Sequence, residues 1–206
     1  MSAPSPAGAT GPAAAGLRER KKARTRRAIQ DHALRLFAEH GYDNTTVERI
    51  AEAAEVSPST FFRYFPTKED LLLRDEYDPL LAEAFRAQPS HLPPLAALRA
   101  AFRAVTEEAG DADLESALTR VRLAMAVPAA RARTLENLLS MMDVLAGVAA
   151  ERAGADPRSP AVRVFAGSVL GALLPVMVTW VECDGRTPLA DLVDEALTLL
   201  SEGLPV

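Results

Sequence analysis

The chain has 206 residues, 49% of them hydrophobic, and a net charge of -5. That apolar content excludes wholesale disorder, and the acidic balance excludes a protein that is basic throughout. A single cysteine, Cys183, and three scattered histidines exclude an internal disulfide, a cysteine-built zinc site and a histidine metal cluster. No cofactor and no metal are expected, and the lone thiol fits a reducing cytoplasm.

Residues 1–17 are uncharged and rich in Pro, Gly, Ser and Ala, the composition of a disordered tail. The basic run follows this stretch, the wrong order for a secretory signal. From 18 to 68 there are eleven Lys/Arg against seven Asp/Glu, whereas the rest of the chain carries twelve against twenty-one. A basic N-terminal part before an acidic remainder points to one region that faces nucleic acid and one that does not.

No alternating β-branched runs occur, and apolar residues recur at spacings of three and four, so the expected fold is all-α. Ile29, Ala33, Leu36, Phe37 and His40 share one face of a helix over 19–40, closed by Gly41. Thr45-x-x-Glu48 reads as a capping box for a helix over 46–53. Ser57 followed by Pro58 reads as N-cap and N1 of a helix over 58–64. Thr67-x-x-Asp70 opens a helix over 68–87, with a kink expected near Pro79. Further helices are expected over 92–109, 113–126, 129–153, 158–183 and 188–202, about nine in all. Val164–Val181 is uncharged and long enough for a membrane span, but Gly167, Ser168, Gly171, Pro175 and Thr179 make it weakly apolar. A buried helix explains it without a membrane.

The two short helices over 46–53 and 58–64 are too short to be stable alone. They must share a core with their neighbours, through Val47, Ile50, Ala51, Val56, Phe61 and Phe65. This is a helix-turn-helix, whose second helix reads the major groove. Its N-terminal end carries Ser57, Ser59 and Thr60, with Arg63 and Tyr64 one turn on. Lys68 stands at the start of the next helix. Arg24 and Arg27 belong to a run with seven cations between Arg18 and Arg27, suited to salt-sensitive phosphate binding.

The stretch TRRAIQDHALRLFAEHGYDNTTVERIAEAAEVSPSTFFRYFPTKEDLL, residues 25–72, resembles the DNA-binding region of the TetR family of regulators. The resemblance implies a helix-turn-helix domain over 18–67 and a helical ligand-binding and dimerisation bundle over 68–206. It implies no enzyme but a cytoplasmic repressor that binds a palindromic operator as a homodimer and is released by a small molecule. By family position Thr46, Ser57, Ser59, Thr60, Arg63, Tyr64 and Lys68 fall where members contact DNA. Two departures stand out: Glu55 occupies a turn position usually held by glycine, and Phe62 one often held by tyrosine. In the bundle, Tyr77, Phe85, Phe102, Arg122, Met125, Met142, Phe165, Val169 and Met177 are candidate pocket residues for a hydrophobic effector. The stretch from the F-F-R-Y-F-P signature onward weakly resembles a branch that binds acyl-CoA-like ligands. The last two helices resemble half of a four-helix dimer interface, with Gly171, Leu189, Leu192, Val193, Ala196, Leu197 and Leu200 as its candidate residues. Cys183 has no nearby cation in the sequence to lower its pKa and reads as a bystander.

An enzyme with a DNA-binding appendage is disfavoured by the lack of paired histidines, a Cys–His pair or a glycine-rich phosphate loop. An architectural DNA-binding protein would not need the residues beyond the reader.

Overall fold

The computed structural model describes residues 12–73 and 77–204, without the side chains of residues 12–20, Tyr77, Asp78 and Leu135. Ten α-helices and no strand are found among the described residues. The chain divides into two compact units, one up to Pro66 and one from Thr67 onward.

The first unit holds α1 (Pro12–His40), α2 (Val47–Ala53) and α3 (Pro58–Tyr64). α1 starts at Pro12, so residues 12–17 belong to the helix and not to a tail; proline suits a first turn, and three alanines follow it. Ile29, Ala33, Ile50, Ala51, Phe61 and Phe65 are essentially inaccessible and form the unit's core. Val47 and Val56 are half-buried. The rings of Phe37 and Tyr42 meet at a tilt with centroids 5.0 Å apart, and those of Phe61 and Phe65 lie 6.0 Å apart.

Two joints fix the turns. Gly41 ends α1 at φ 82°, its N–H donating to the Phe37 carbonyl. The capping of α2 is shifted by one residue from the expected box: Thr46 is the N-cap, and its hydroxyl accepts from the Arg49 N–H at 3.3 Å. Thr45 is fully buried instead, its hydroxyl 2.8 Å from the Gly41 carbonyl and 3.2 Å from that of Leu36. These two bonds, to the last turn of α1 and to the glycine that closes it, hold Thr45 inward and leave the cap to its neighbour.

The second unit holds α4 (Asp70–Leu73), α5 (Tyr77–Ala87), α6 (Pro94–Glu108), α7 (Asp111–Ala126), α8 (Pro128–Ala153), α9 (Pro160–Glu182) and α10 (Leu189–Ser201). The helix expected over 68–87 is thus described as two, with residues 74–76 outside the described residues. The expected Thr67–Asp70 cap is present: the Thr67 N–H donates to Asp70 Oδ2 at 2.9 Å, and the Asp70 N–H to the Thr67 hydroxyl at 3.3 Å. Pro79 is the third described residue of α5, and the kink expected near it depends on residues 74–76, which lie outside the described residues.

α6 packs on α5 and α10, α9 on α8 and α10, and α4 on α7 and α8. The core between them is built from Phe85, Leu98, Val148, Val169, Val193 and Leu197, with Phe102, Met142, Phe165 and Met177 partly buried against it. On α7 the buried positions are Ala117 and Arg120, while Leu114, Leu118, Val121 and Met125 are only half-buried. Two arginines staple the bundle. Arg99 Nε and Nη2 each donate at 2.8 Å to the Asp194 carboxylate. The same contact holds the Asp194 carboxyl below its ordinary range and raises the Arg99 guanidinium. Arg152 donates to the carbonyls of Phe85, Gln88 and Pro89 and lies 5.1 Å above the Phe85 ring, capping the C-terminal end of α5.

Candidate nucleic-acid interface

α3 is fixed from below and bare above. Phe61 and Phe65 anchor it in the core, and Arg26 of α1 lies 5.4 Å above the Phe65 ring. Its start is set by Ser57, whose hydroxyl accepts from the Thr60 N–H at 3.1 Å and bonds to the Thr60 hydroxyl at 3.0 Å. Ser57 and Thr60 therefore serve the cap, and Thr60 is half-buried. Ser59 and Arg63, four residues apart, share the exposed face. The Arg63 guanidinium lies 5.4 Å from the ring of half-buried Tyr64. Phe62 is exposed, its ring edge-on to Phe61 at 5.4 Å, so it faces out and not into the core.

The turn before α3 keeps the left-handed shape despite its missing glycine. Glu55 sits at φ 54°, and the Val56 N–H reaches back to the Ala51 carbonyl while the Glu55 N–H reaches that of Glu52. This is the Schellman pattern, closed by an apolar residue just beyond the left-handed position.

Arg24 and Arg27 are exposed on α1, and Thr46 is exposed at the cap of α2. The Glu48 carboxyl is held below its ordinary range by its own backbone N–H and the Thr46 hydroxyl. Lys68, the remaining residue expected at DNA, is half-buried and belongs to the second unit. Arg26 is the residue that sequence reasoning missed. Its place within the cationic run gave no sign that its guanidinium stacks on Phe65.

The candidate pocket residues do not gather around one opening. Phe85 and Val169 are buried in the second unit's core, with Phe102, Met142, Phe165 and Met177 around them. Met125 is half-buried on α7 and is not among the residues of that core. Arg122 is exposed and pairs with Asp184, in the loop between α9 and α10, so it does not line the core. The Tyr77 side chain lies outside the described residues. A cleft of about 360 Å³ does open along α8, the following loop and α9, lined by Met142, Asp143, Ala146, Pro157, Arg158 and Arg163. Only Met142 of the expected pocket residues reaches it.

The candidate dimer residues divide. Val193 and Leu197 are fully buried in the chain's own core and cannot face a partner. Leu189, Leu192, Ala196 and Leu200 are half-buried against that core. Gly171 is exposed and has open space beside it. On α9 and α10 the exposed large apolar side chains are Val164, Leu174, Val178 and Leu199, and elsewhere in the unit Leu80 of α5 and Leu139 and Val144 of α8 are exposed as well. α9 is the one described helix long and apolar enough to cross a membrane, yet little more than a quarter of its apolar window is buried. It runs through Pro175, whose ring nitrogen gives the Gly171 carbonyl no donor.

The Cys183 thiol is not as plain as its sequence neighbourhood suggests. The Thr187 backbone N–H, then the Thr187 hydroxyl and the N–H groups of Gly185 and Arg186, lower its pKa against the opposing effect of burial.

A family profile described as bacterial regulatory proteins, tetR family, matches residues 29–74, and one described as the MftR C-terminal domain matches residues 92–205. The HTH-type transcriptional regulator TcmR of Streptomyces glaucescens is 40% identical over 148 residues, 68% of this chain and 66% of that protein. The match thus spans just under two thirds of TcmR. The fatty acid metabolism regulator protein of Bacillus subtilis (strain 168) is 26% identical over 183 residues, 85% of this chain and 93% of that protein. Among solved structures, Thermus thermophilus FadR, a TetR-family transcriptional repressor in complex with lauroyl-CoA, is 28% identical with a TM-score of 0.56, over 88% of this chain and 95% of that one.

Proposed function

Because the chain belongs to the TetR family of bacterial regulators, we propose that it is a cytoplasmic, ligand-responsive repressor that grips a palindromic operator as a homodimer. The observation that carries the reading is α3 itself. Its buried phenylalanines hold Ser59 and Arg63 outward on one face, behind a cap that leaves the helix N-terminus open to a groove. Arg63 suits a guanine edge or a phosphate, and Arg24 and Arg27 suit phosphates alone. Exposed Phe62 lies against a sugar, replacing a hydrogen bond with apolar contact. The domains are residues 18–67 for DNA and 68–206 for effector and partner.

The exposed stripe of Val164, Gly171, Leu174 and Val178 is the dimer face, extended by Leu199. A second copy, not a membrane, covers it. Such an isologous interface sets two α3 helices in opposite directions, as an inverted repeat requires. The effector is an acyl-CoA thioester whose chain enters the apolar core around Phe85, Phe102, Phe165, Val169 and Met177. Support comes from the core's composition and from the lauroyl-CoA bound to the Thermus relative. The test adds lauroyl-CoA to the protein held on a duplex selected from a random pool. Release at micromolar effector supports the reading. A complex untouched by lauroyl-CoA but released by an unrelated ligand overturns the effector assignment and leaves the DNA assignment standing.

A further inference from the structure

An acyl-CoA carries its apolar chain and its phosphates at opposite ends. The chain suits the bundle core, but phosphates cannot follow it there, because burying an unpaired charge among apolar side chains is prohibitive. They need cations at a point where the core wall meets solvent. Six arginines of the second unit are already committed. Arg99 and Arg103 lie on Asp194, Arg86 on Glu151, Arg122 on Asp184 and Arg133 on Asp70, while Arg152 holds three carbonyls.

Arg158 and Arg163 are different. Both are exposed, both line the 360 Å³ cleft, and among the described residues neither guanidinium has a carboxylate partner. The cleft is of ligand size. Its floor is the outer wall of the core, since Ala146 belongs to the buried cluster and Met142 packs against it. Met142 is also the movable part of that wall. Its sulfur lies 3.9 Å from where a Cβ on Gly167 of α9 would stand, so a flexible thioether and a missing side chain meet at the α8–α9 seam. On α8, Gly147 beside Ala146 has nothing within 4 Å of its own would-be Cβ.

We propose that this cleft binds the phosphate end of the acyl-CoA effector, with Arg158 and Arg163 holding the phosphates and Met142 giving way to admit the chain. The proposal rests on the effector reading above and assigns that effector's charged end. Guanidinium forks match phosphate oxygens in pairs, and such charge-assisted bonds are the strong ones. Asp143 on the same cleft opposes an anion and sets an upper bound on affinity.

The experiment measures binding of lauroyl-CoA and of lauric acid to the full-length wild type, to R158A/R163A and to R158K/R163K. The fatty acid shares the chain and lacks the phosphates. The double alanine variant should bind lauroyl-CoA about tenfold or more weakly, with lauric acid unchanged, and the double lysine variant should recover part of the loss. Equal lauroyl-CoA affinity in all three proteins overturns the cleft assignment while sparing the effector reading. Equal loss of both ligands also overturns it, because the arginines would then support the fold and not the phosphates. Failure of the wild type to bind lauroyl-CoA at all overturns both.

Discussion

Glu55→Gly should stabilise the DNA-binding unit. The backbone at Glu55 is left-handed, at φ 54°, between two hydrogen bonds that close the end of α2. A side chain in that conformation costs roughly 1–2 kcal/mol. Glycine removes the cost, but the freer unfolded chain takes back about 0.4–1 kcal/mol. The net gain is about 0.5–1 kcal/mol. The Glu55 side chain is exposed, so its removal costs little packing to offset this. The assay is urea unfolding followed by far-ultraviolet circular dichroism. With a slope near 1 kcal/mol per molar, the midpoint of the N-terminal unit should rise by about 0.5–1 M. Glu55→Ala keeps the Cβ and should leave the unfolding free energy within about 0.5 kcal/mol of wild type. If the glycine variant is no more stable than the alanine variant, the left-handed turn carries no strain and the reasoning fails.

Three other outcomes follow from single contacts. Thr45→Val keeps the shape but removes the buried hydroxyl that bonds to the Gly41 carbonyl and, at longer range, to that of Leu36, and should cost about 1–3 kcal/mol in unfolding free energy; a neutral result would mean that water replaces the hydroxyl. Asp194→Asn removes the carboxylate gripped by Arg99, and because the native pKa is depressed, its stabilisation is present above the unfolded value of about 3.9 and disappears as pH falls through the native one. Comparing unfolding of the two proteins should therefore show a gap of at most about 1 kcal/mol from pH 7 to 5 that closes below pH 4; a gap that widens in acid would contradict the pairing. Val164→Asp with Val178→Asp should turn the dimer into monomer without loss of helix, read by light scattering, whereas an unaltered dimer places the interface elsewhere.

The parts of this fold legible in the sequence are those decided within one turn of helix. Gly41, Ser57 with Pro58, and Thr67 with Asp70 cap helices where local chemistry puts them. What escaped depends on residues far along the chain. Thr45 and Thr46 fit a capping motif equally well, and only the carbonyls of Leu36 and Gly41 hold one of them inward. Arg122 looks like a pocket anion anchor until Asp184, sixty-two residues on, takes it to the surface. The stripe on α10 is regular, but periodicity cannot distinguish a chain's own core from a partner's. Val193 and Leu197 prove to be core. α9 is apolar on every side and so offers no periodic signal for its exposed face. The cleft of Arg158 and Arg163 has no motif at all, because it is assembled from a helix end, a loop and a helix start.

The central claim, sequence-specific recognition through α3 of a symmetric dimer, is tested most directly by selecting bound sites from a randomised duplex pool. Wild type should enrich two inverted half-sites whose centres lie about 10 base pairs or a multiple of that apart. The variant S59A/R63A, with both changes on the exposed face of α3, should fold and dimerise normally yet enrich nothing. Recovery of a single asymmetric site, or of the same inverted repeat by the variant, would contradict the account.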